Sequence, residues 1–261
     1  MKPNPGIESP SDAEESLRPF PLLPEGVHLP LQARSRASFD RMVAAALDLI
    51  AEDGLEATTV QRVLERSGAG AGTFYARFDG RDALLAYLAT RFWATADDGW
   101  RDVLGPERWE AAGALEIVHQ FVRVMVLWTR VHATLLRAFL MHAMVHPEND
   151  LLDRTSVFDN TVADHLCGIL LLRSDELHHP DPEQAIRLAT LQVIATLRSR
   201  IIFAWGARED GIDDDALSGE LATAFLRYLG CSEKPESTAL QEELGAKARA
   251  VGLREPETSG D

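Results

Sequence analysis

The 261-residue chain has only two cysteines, Cys167 and Cys231, and only three lysines, Lys2, Lys234 and Lys247. Two cysteines cannot frame a disulfide scaffold and have no metal-ligand spacing, so a reducing compartment, the cytoplasm, is expected. The first residues, MKPNPGIESPSDAEES, lack the apolar stretch of a signal peptide. No uninterrupted apolar run approaches the roughly 20 residues that cross a bilayer, so no membrane partner is expected. Strand-like alternation and internal repeats are missing too. No G-x-S-x-G or other nucleophile setting occurs, which makes an enzyme the weaker class and leaves no cofactor to expect. Cations are scarce overall: the formal charge is −15, which ordinarily argues against nucleic acid, because phosphate binding draws on clustered Lys and Arg. The shortage is uneven, however. Between Arg34 and Ala86 seven Arg stand against eight Asp or Glu, so this segment is nearly neutral and the acidic excess lies elsewhere.

What is present is helical periodicity. Hydrophobic residues make up 46% of the chain, enough for a packed core, and they recur at a 3.6-residue period, so the fold is expected to be all-α with about nine helices. Residues 1–33 hold seven of the thirteen prolines and show no period, which predicts a disordered arm. Residues 34–80 read as a compact helical unit, 81–231 as a larger helical body and 232–261 as a polar tail, in which STALQEELGAKARAVGL has the pattern of a loose helix. Phe39, Met42, Val43, Ala46, Leu49 and Ile50 share one face of a first helix that Gly54 ends. A fourth helix runs from Arg81 to the break at Gly105-Pro106, a fifth from near Glu107 to Arg130, a sixth from near Thr134 to Val145 and a seventh from about Asn149 to Leu172. Asp181-Pro182 opens an eighth that reaches Trp205-Gly206, and Asp213 begins a ninth that Gly230 stops.

Between the first and fourth helices lies TTVQRVLERSGAGAGTFYARF, Thr58 to Phe78. Thr59 suits the N-cap of a helix through Arg66, with Val60, Val63 and Leu64 inward, and Gly68 permits a sharp turn. Gly70 or Ala71 starts a second helix whose Phe74 and Phe78, four apart, anchor the core side, while Thr73, Tyr75, Ala76 and Arg77 point away. Two short helices at a tight turn are either an ordinary helical hairpin or a helix-turn-helix, whose second helix fits the major groove. An Arg, a Thr and a Tyr hydroxyl on the outer face have the chemistry for bases and phosphates.

The run G-T-F-Y-A-R-F followed by D-G-R-D-A-L-L resembles the recognition-helix signature of the TetR/AcrR-type (tetracycline-repressor-like) transcription regulators, and with T-T-V-x-x-V and the Ala-rich first helix the likeness covers about Ser35 to Leu88. It implies a homodimeric repressor that binds a double-stranded DNA operator through residues 34–80 and uses 81–231 for effector binding and dimerisation. It implies base or groove contacts from Gln61, Ala71, Gly72, Thr73, Tyr75 and Arg77, and phosphate contacts from Thr59, Tyr75 and Arg81, the last standing where the family usually has Lys. Leu64, Ala69 and Gly70 depart from the family's common Ala, Val and Ser or Thr; Gly70 caps a helix slightly less well than Ser.

In a regulator of this type the fourth to seventh helices surround an effector cavity. Trp93, Phe121, Met125, Trp128, Phe139 and Phe158, with His142 and His165 as polar groups, are then the candidate lining for a largely apolar small molecule. The alternative for the same residues is plain core, with the body docking a protein partner and no small-molecule effector. His142 and His146 are four apart on one helix, a spacing that can chelate a metal, but no matching Cys or carboxylate set accompanies them and no metal is expected. The eighth helix is apolar on more than one face. Its Leu191, Ile194, Leu197 and Ile201, with Leu217, Leu221, Phe225 and Tyr228 of the ninth, are expected to form a four-helix, two-fold dimer interface.

Overall fold

In a computed structural model the chain is described over residues 23–145, 151–203 and 212–231. Nine α-helices follow one another among these residues: α1 (Ala33–Asp53), α2 (Val60–Ser67), α3 (Ala71–Tyr75), α4 (Arg81–Val103), α5 (Ala114–Val131), α6 (Ala133–Val145), α7 (Leu151–Leu170), α8 (Pro182–Phe203) and α9 (Asp214–Leu229). Two 3₁₀ turns, Pro106–Trp109 and Leu171–Glu176, complete the order, and no strand occurs among the described residues. The expected all-α class holds. No single described helix is long and apolar enough to cross a membrane.

Most helix ends follow from local chemistry. Gly54, Gly68 and Gly230 close α1, α2 and α9, each at positive φ where an L side chain would be strained. Thr59 Oγ1 accepts from the Arg62 N–H at 3.3 Å, and Asp213 Oδ1 from the Ala216 N–H at 2.7 Å, as N-caps do. The fifth helix departs from expectation: it starts at Ala114, not near Glu107. Residues 106–109 instead form a 3₁₀ turn that buries Trp109, whose indole donates to the Val103 carbonyl at 3.0 Å. The cause is tertiary. Glu176, 62 residues later, accepts from the Ala114 N–H at 2.8 Å, and Arg173 donates to the Ala112 carbonyl at 2.9 Å and to that of Trp109. The seventh helix is described from Leu151, its expected start near Asn149 lying outside the described residues, and gives way to the 3₁₀ turn after Leu170. The expected end of the eighth at Trp205-Gly206, the stop at Pro147 and the helical tail piece lie outside the described residues.

One hydrophobic core runs through the described chain, from Val27 at one end to Leu229 at the other. Part of the arm expected to be disordered belongs to it. Val27 is buried and forms an isolated antiparallel bridge with Phe78, the His28 N–H donates to the Arg77 carbonyl at 2.8 Å, and the Asp79 N–H to the Gly26 carbonyl at 2.9 Å. Residues 26–28 thus strap the chain just beyond α3. An apolar residue with backbone pairing partners can be ordered from a Pro-rich context that shows no periodicity of its own. The arm before residue 23 lies outside the described residues.

Candidate nucleic-acid interface and interior site

The short helix α3 is held from behind by aromatic rings. Phe74 and Phe78 are fully buried with ring centroids 5.4 Å apart; Phe78 stacks on Phe39 of α1 at 5.1 Å and meets Tyr87 of α4 at 6.0 Å. Five residues cannot sustain an isolated helix, so this cluster, with the strap, fixes its direction. Gly68 makes the turn at φ +66, the Ser67 hydroxyl accepts from the Ala69 N–H at 3.3 Å, and Gly70 caps α3 through its carbonyl alone. Leu64 and Ala69, the two size departures, are both half-buried against the core.

With that face fixed, the opposite face is open. Ala71, Gly72, Tyr75 and Ala76 are exposed, Tyr75 by 58%, and Thr73 and Arg77 are half-buried. The Arg77 Nε is sheltered and has no hydrogen-bond partner. Gln61 and Thr59 are exposed on α2, where the Gln61 amide donates to Glu65 at 2.9 Å and the Thr59 hydroxyl is spent on its cap. The geometry is that of a helix-turn-helix with a small, open second helix.

Residues 42–88 match the family model described as "Bacterial regulatory proteins, tetR family". The amino-terminal domain belongs to the tetR family. It is a helix-turn-helix, DNA-binding transcription-regulator domain. The chain is similar in fold to the solved structure of Salmonella enterica GusR, with a TM-score of 0.55 and 18% identity over 77% of this chain and 99% of that one. No curated protein sequence matched.

Charge in the tetR-family domain is more committed than the sequence suggests. Arg62 pairs with Asp53, Arg66 with Glu52 at 2.6 Å, and Arg41 donates to the Ser67 and Ala37 carbonyls. Hydrogen bonding to Arg66 holds the Glu52 carboxyl below its ordinary range. Arg81 departs most from a phosphate-binding role: its Nε donates to the Thr58 carbonyl at 2.8 Å and an Nη to that of Leu55 at 2.7 Å, with Glu56 3.7 Å away. It braces the α1–α2 loop from the first turn of α4. Sequence spacing places Arg81 at a helix start but carries no sign that two loop carbonyls lie within its reach. Arg81→Ala should therefore cost about 1–3 kcal/mol of stability by removing two charge-assisted hydrogen bonds from the loop, after which the Leu55 carbonyl keeps only the Thr58 N–H. Chemical denaturation measures it, and an unchanged midpoint would return Arg81 to the surface. Sequence reasoning passed over Arg34 and Arg36, exposed cations in the first turn of α1, just before Phe39. Their overall charge balance with nearby acids hid them.

In the body, Trp93, Phe121, Met125, Trp128, Phe139 and Phe158 are brought together and all are at most 3% exposed. Trp93 and Trp128 pack on Phe158 at 4.9 and 5.6 Å, and Trp100, absent from the expected lining, meets Trp128 at 6.3 Å. A cavity at one side of this group, bounded by Met125, Trp128, Thr129, Leu136, Phe158, Ile194 and Arg198, measures only about 10 Å³. At its edge Arg198 grips both oxygens of Asp159; burial pushes that carboxyl up while Arg198 pulls it down. The indole N–H groups of Trp93, Trp100 and Trp128 are buried with no hydrogen-bond partner, which costs about 1–3 kcal/mol each relative to a satisfied donor.

The two histidines do not join this group. His142 reaches from α6 to Glu56 of the α1–α2 loop at 3.4 Å, the same carboxylate that faces Arg81. His165 is half-buried; burial and then Arg101 lower its pKa, so the ring is neutral at neutral pH. No group of three or more His, Cys, Asp or Glu among the described residues is placed to hold a metal ion. An open surface cleft of about 700 Å³ lies between Pro106–Gly113 and Leu172–Glu176, and its Arg173 and Glu176 are engaged with backbone.

Four of the eight expected dimer residues need correction. Ile194, Leu197, Leu217 and Phe225 are buried within the protomer, and Leu191, Ile201 and Leu221 are half-buried; of the eight only Tyr228 is exposed, at 39%. The apolar excess of α8 is taken up by contacts with α5, α6, α7 and α9. The faces of α8 and α9 left open carry Leu188, Gln192, Ala195 and Thr196, and Ala216, Glu220, Ala224 and Arg227.

Proposed function

We propose that the protein is a homodimeric repressor that binds an operator through α2 and α3 and leaves it when a small molecule enters the body. The carrying observation is the open face of α3, with Ala71, Gly72 and Tyr75 exposed and Arg77 half-buried just beyond its end, held rigid from behind by the Phe39, Phe74 and Phe78 rings. Arg77 and Tyr75 are the base-edge candidates on that face, with Gln61 beside them on α2. Arg34 and Arg36 supply phosphate contacts in place of Arg81. Because Ala71, Gly72 and Ala76 have no side-chain donors, part of the sequence preference comes from DNA shape.

Two links favour effector control. α4 carries Arg81 under the α1–α2 loop and, three turns on, Trp93 in the aromatic interior; α6 carries Phe139 in that interior and His142 against Glu56. A ligand that displaces these rings moves the loop from two sides. It releases DNA only to the extent that it binds the displaced state more tightly. The closed interior favours a second reading, in which the body docks a protein and no small molecule acts. A change in operator affinity on adding a small molecule, with no second protein present, decides for the first. The protein acts in the cytoplasm without catalysis.

Arg77→Ala is expected to weaken specific binding by about 1–3 kcal/mol and to relax preference at one base position. Tyr75→Phe should cost less. Arg36→Ala should weaken all DNA alike and lower the salt slope by about one. Anisotropy titrations on operator and scrambled duplexes separate these outcomes; an equal, sequence-blind loss from Arg77→Ala would remove it from base reading.

A further inference from the structure

Resting on the effector reading above, we infer that the interior between α4, α5 and α7 takes a flat, uncharged ring compound bearing hydrogen-bond acceptors, such as an aromatic ketone or lactone, recognised by the indole N–H groups of Trp93, Trp100 and Trp128. All three indoles are buried, at 0, 2 and 3% exposure, and none has an acceptor. Trp109 is different: its indole donates to the Val103 carbonyl at 3.0 Å, so the fold pairs an indole where a backbone acceptor lies in reach. The three rings are neighbours: Trp93 and Trp128 share Phe158, and Trp100 meets Trp128 edge-on. The Thr90 hydroxyl, one turn before Trp93 on α4, is buried without a partner as well.

A buried donor without an acceptor has lost its water and gained nothing, so an acceptor delivered by a ligand recovers a whole hydrogen bond. The surrounding rings provide flat apolar contact. Charge on the ligand is disfavoured, because the buried carboxylates at the margin are already matched, Asp97 by Arg101 at 2.5 Å and Asp159 by Arg198. With a cavity of about 10 Å³, the ligand enters by displacing side chains, and Met125 on the cavity wall is the adaptable one.

The test uses 1-tetralone, tetralin and 1-aminotetralin, one bicyclic skeleton carrying an acceptor, no polar group or a cation. Calorimetry on the full chain should find tetralone bound about tenfold more tightly than tetralin, and aminotetralin weakest. In ¹H–¹⁵N spectra of the wild type, tetralone alone should move indole N–H resonances downfield. Trp128→Phe keeps a ring and removes a donor; it should narrow the tetralone-to-tetralin affinity ratio to about threefold or less. Equal wild-type affinities for tetralone and tetralin, tetralone binding without an indole shift, or no binding by any of the three overturns the inference. Operator release by tetralin but not by tetralone refutes the ligand class and leaves effector control standing. Tetralone bound at the indoles with operator affinity unmoved keeps the site and refutes effector control.

Discussion

Phe74→Ala should abolish operator binding while leaving most of the helical body folded. The ring is fully buried, packs on Phe78 at 5.4 Å, and is the only core side chain that α3 itself contributes. Truncating a buried Phe costs about 3–5 kcal/mol, a large share of what a domain of this size has to lose. A helix of five residues has no stability of its own to fall back on. With its anchor gone, the backbone between Gly70 and Phe78 no longer holds Tyr75 and Arg77 in a groove-ready position. Hydrogen exchange should show α3 and the Gly68 turn losing protection, with the amides of α5 and α7 protected as in the wild type. If operator affinity stays within threefold of wild type, α3 is not the reading helix.

The second large effect concerns assembly. Leu188→Arg with Ala224→Arg should convert dimers to monomers and lower operator affinity by about 100-fold or more. Both positions are exposed in the protomer, Leu188 by 43%, so neither change strains the fold; protomer stability should move by no more than about 0.5 kcal/mol. At a two-fold interface each substitution appears twice, and four guanidinium groups would meet among small residues that permit close helix approach. Small side chains at Ala195, Ala216 and Ala224 fit that approach. Sedimentation velocity at micromolar concentration reads the assembly. A variant that stays dimeric places the interface elsewhere.

The helix-turn-helix was legible because its signals are local. Thr59 caps, Gly68 turns, and the four-residue spacing of Phe74 and Phe78 separates a buried side from an open one; each works within a few residues of itself. The body was legible as helices but not as surfaces. Leu191, Ile194, Leu197 and their partners on α9 read as surplus apolar area because periodicity counts faces without saying how many neighbours each helix has, and α8 meets four helices within its own protomer. The start of α5 depended on Glu176 and Arg173, and the role of Arg81 on carbonyls 23 and 26 residues away. Neither contact leaves a mark in local sequence. The strap at residues 26–28 was hidden for a similar reason: one buried Val and two backbone bonds make no period.

The central claim is that this chain reads DNA sequence through α3. The most direct measurement is an anisotropy titration of the purified full chain on a duplex from immediately upstream of its own gene and on a scrambled duplex of equal composition, at two salt concentrations. The account predicts specific binding at about 10⁻⁸ M or tighter, roughly 10³-fold or more above the scrambled duplex, with both affinities falling as salt rises and the difference narrowing in Arg77→Ala. Equal affinity for the two duplexes, or a preference that survives intact in Phe74→Ala, would contradict it.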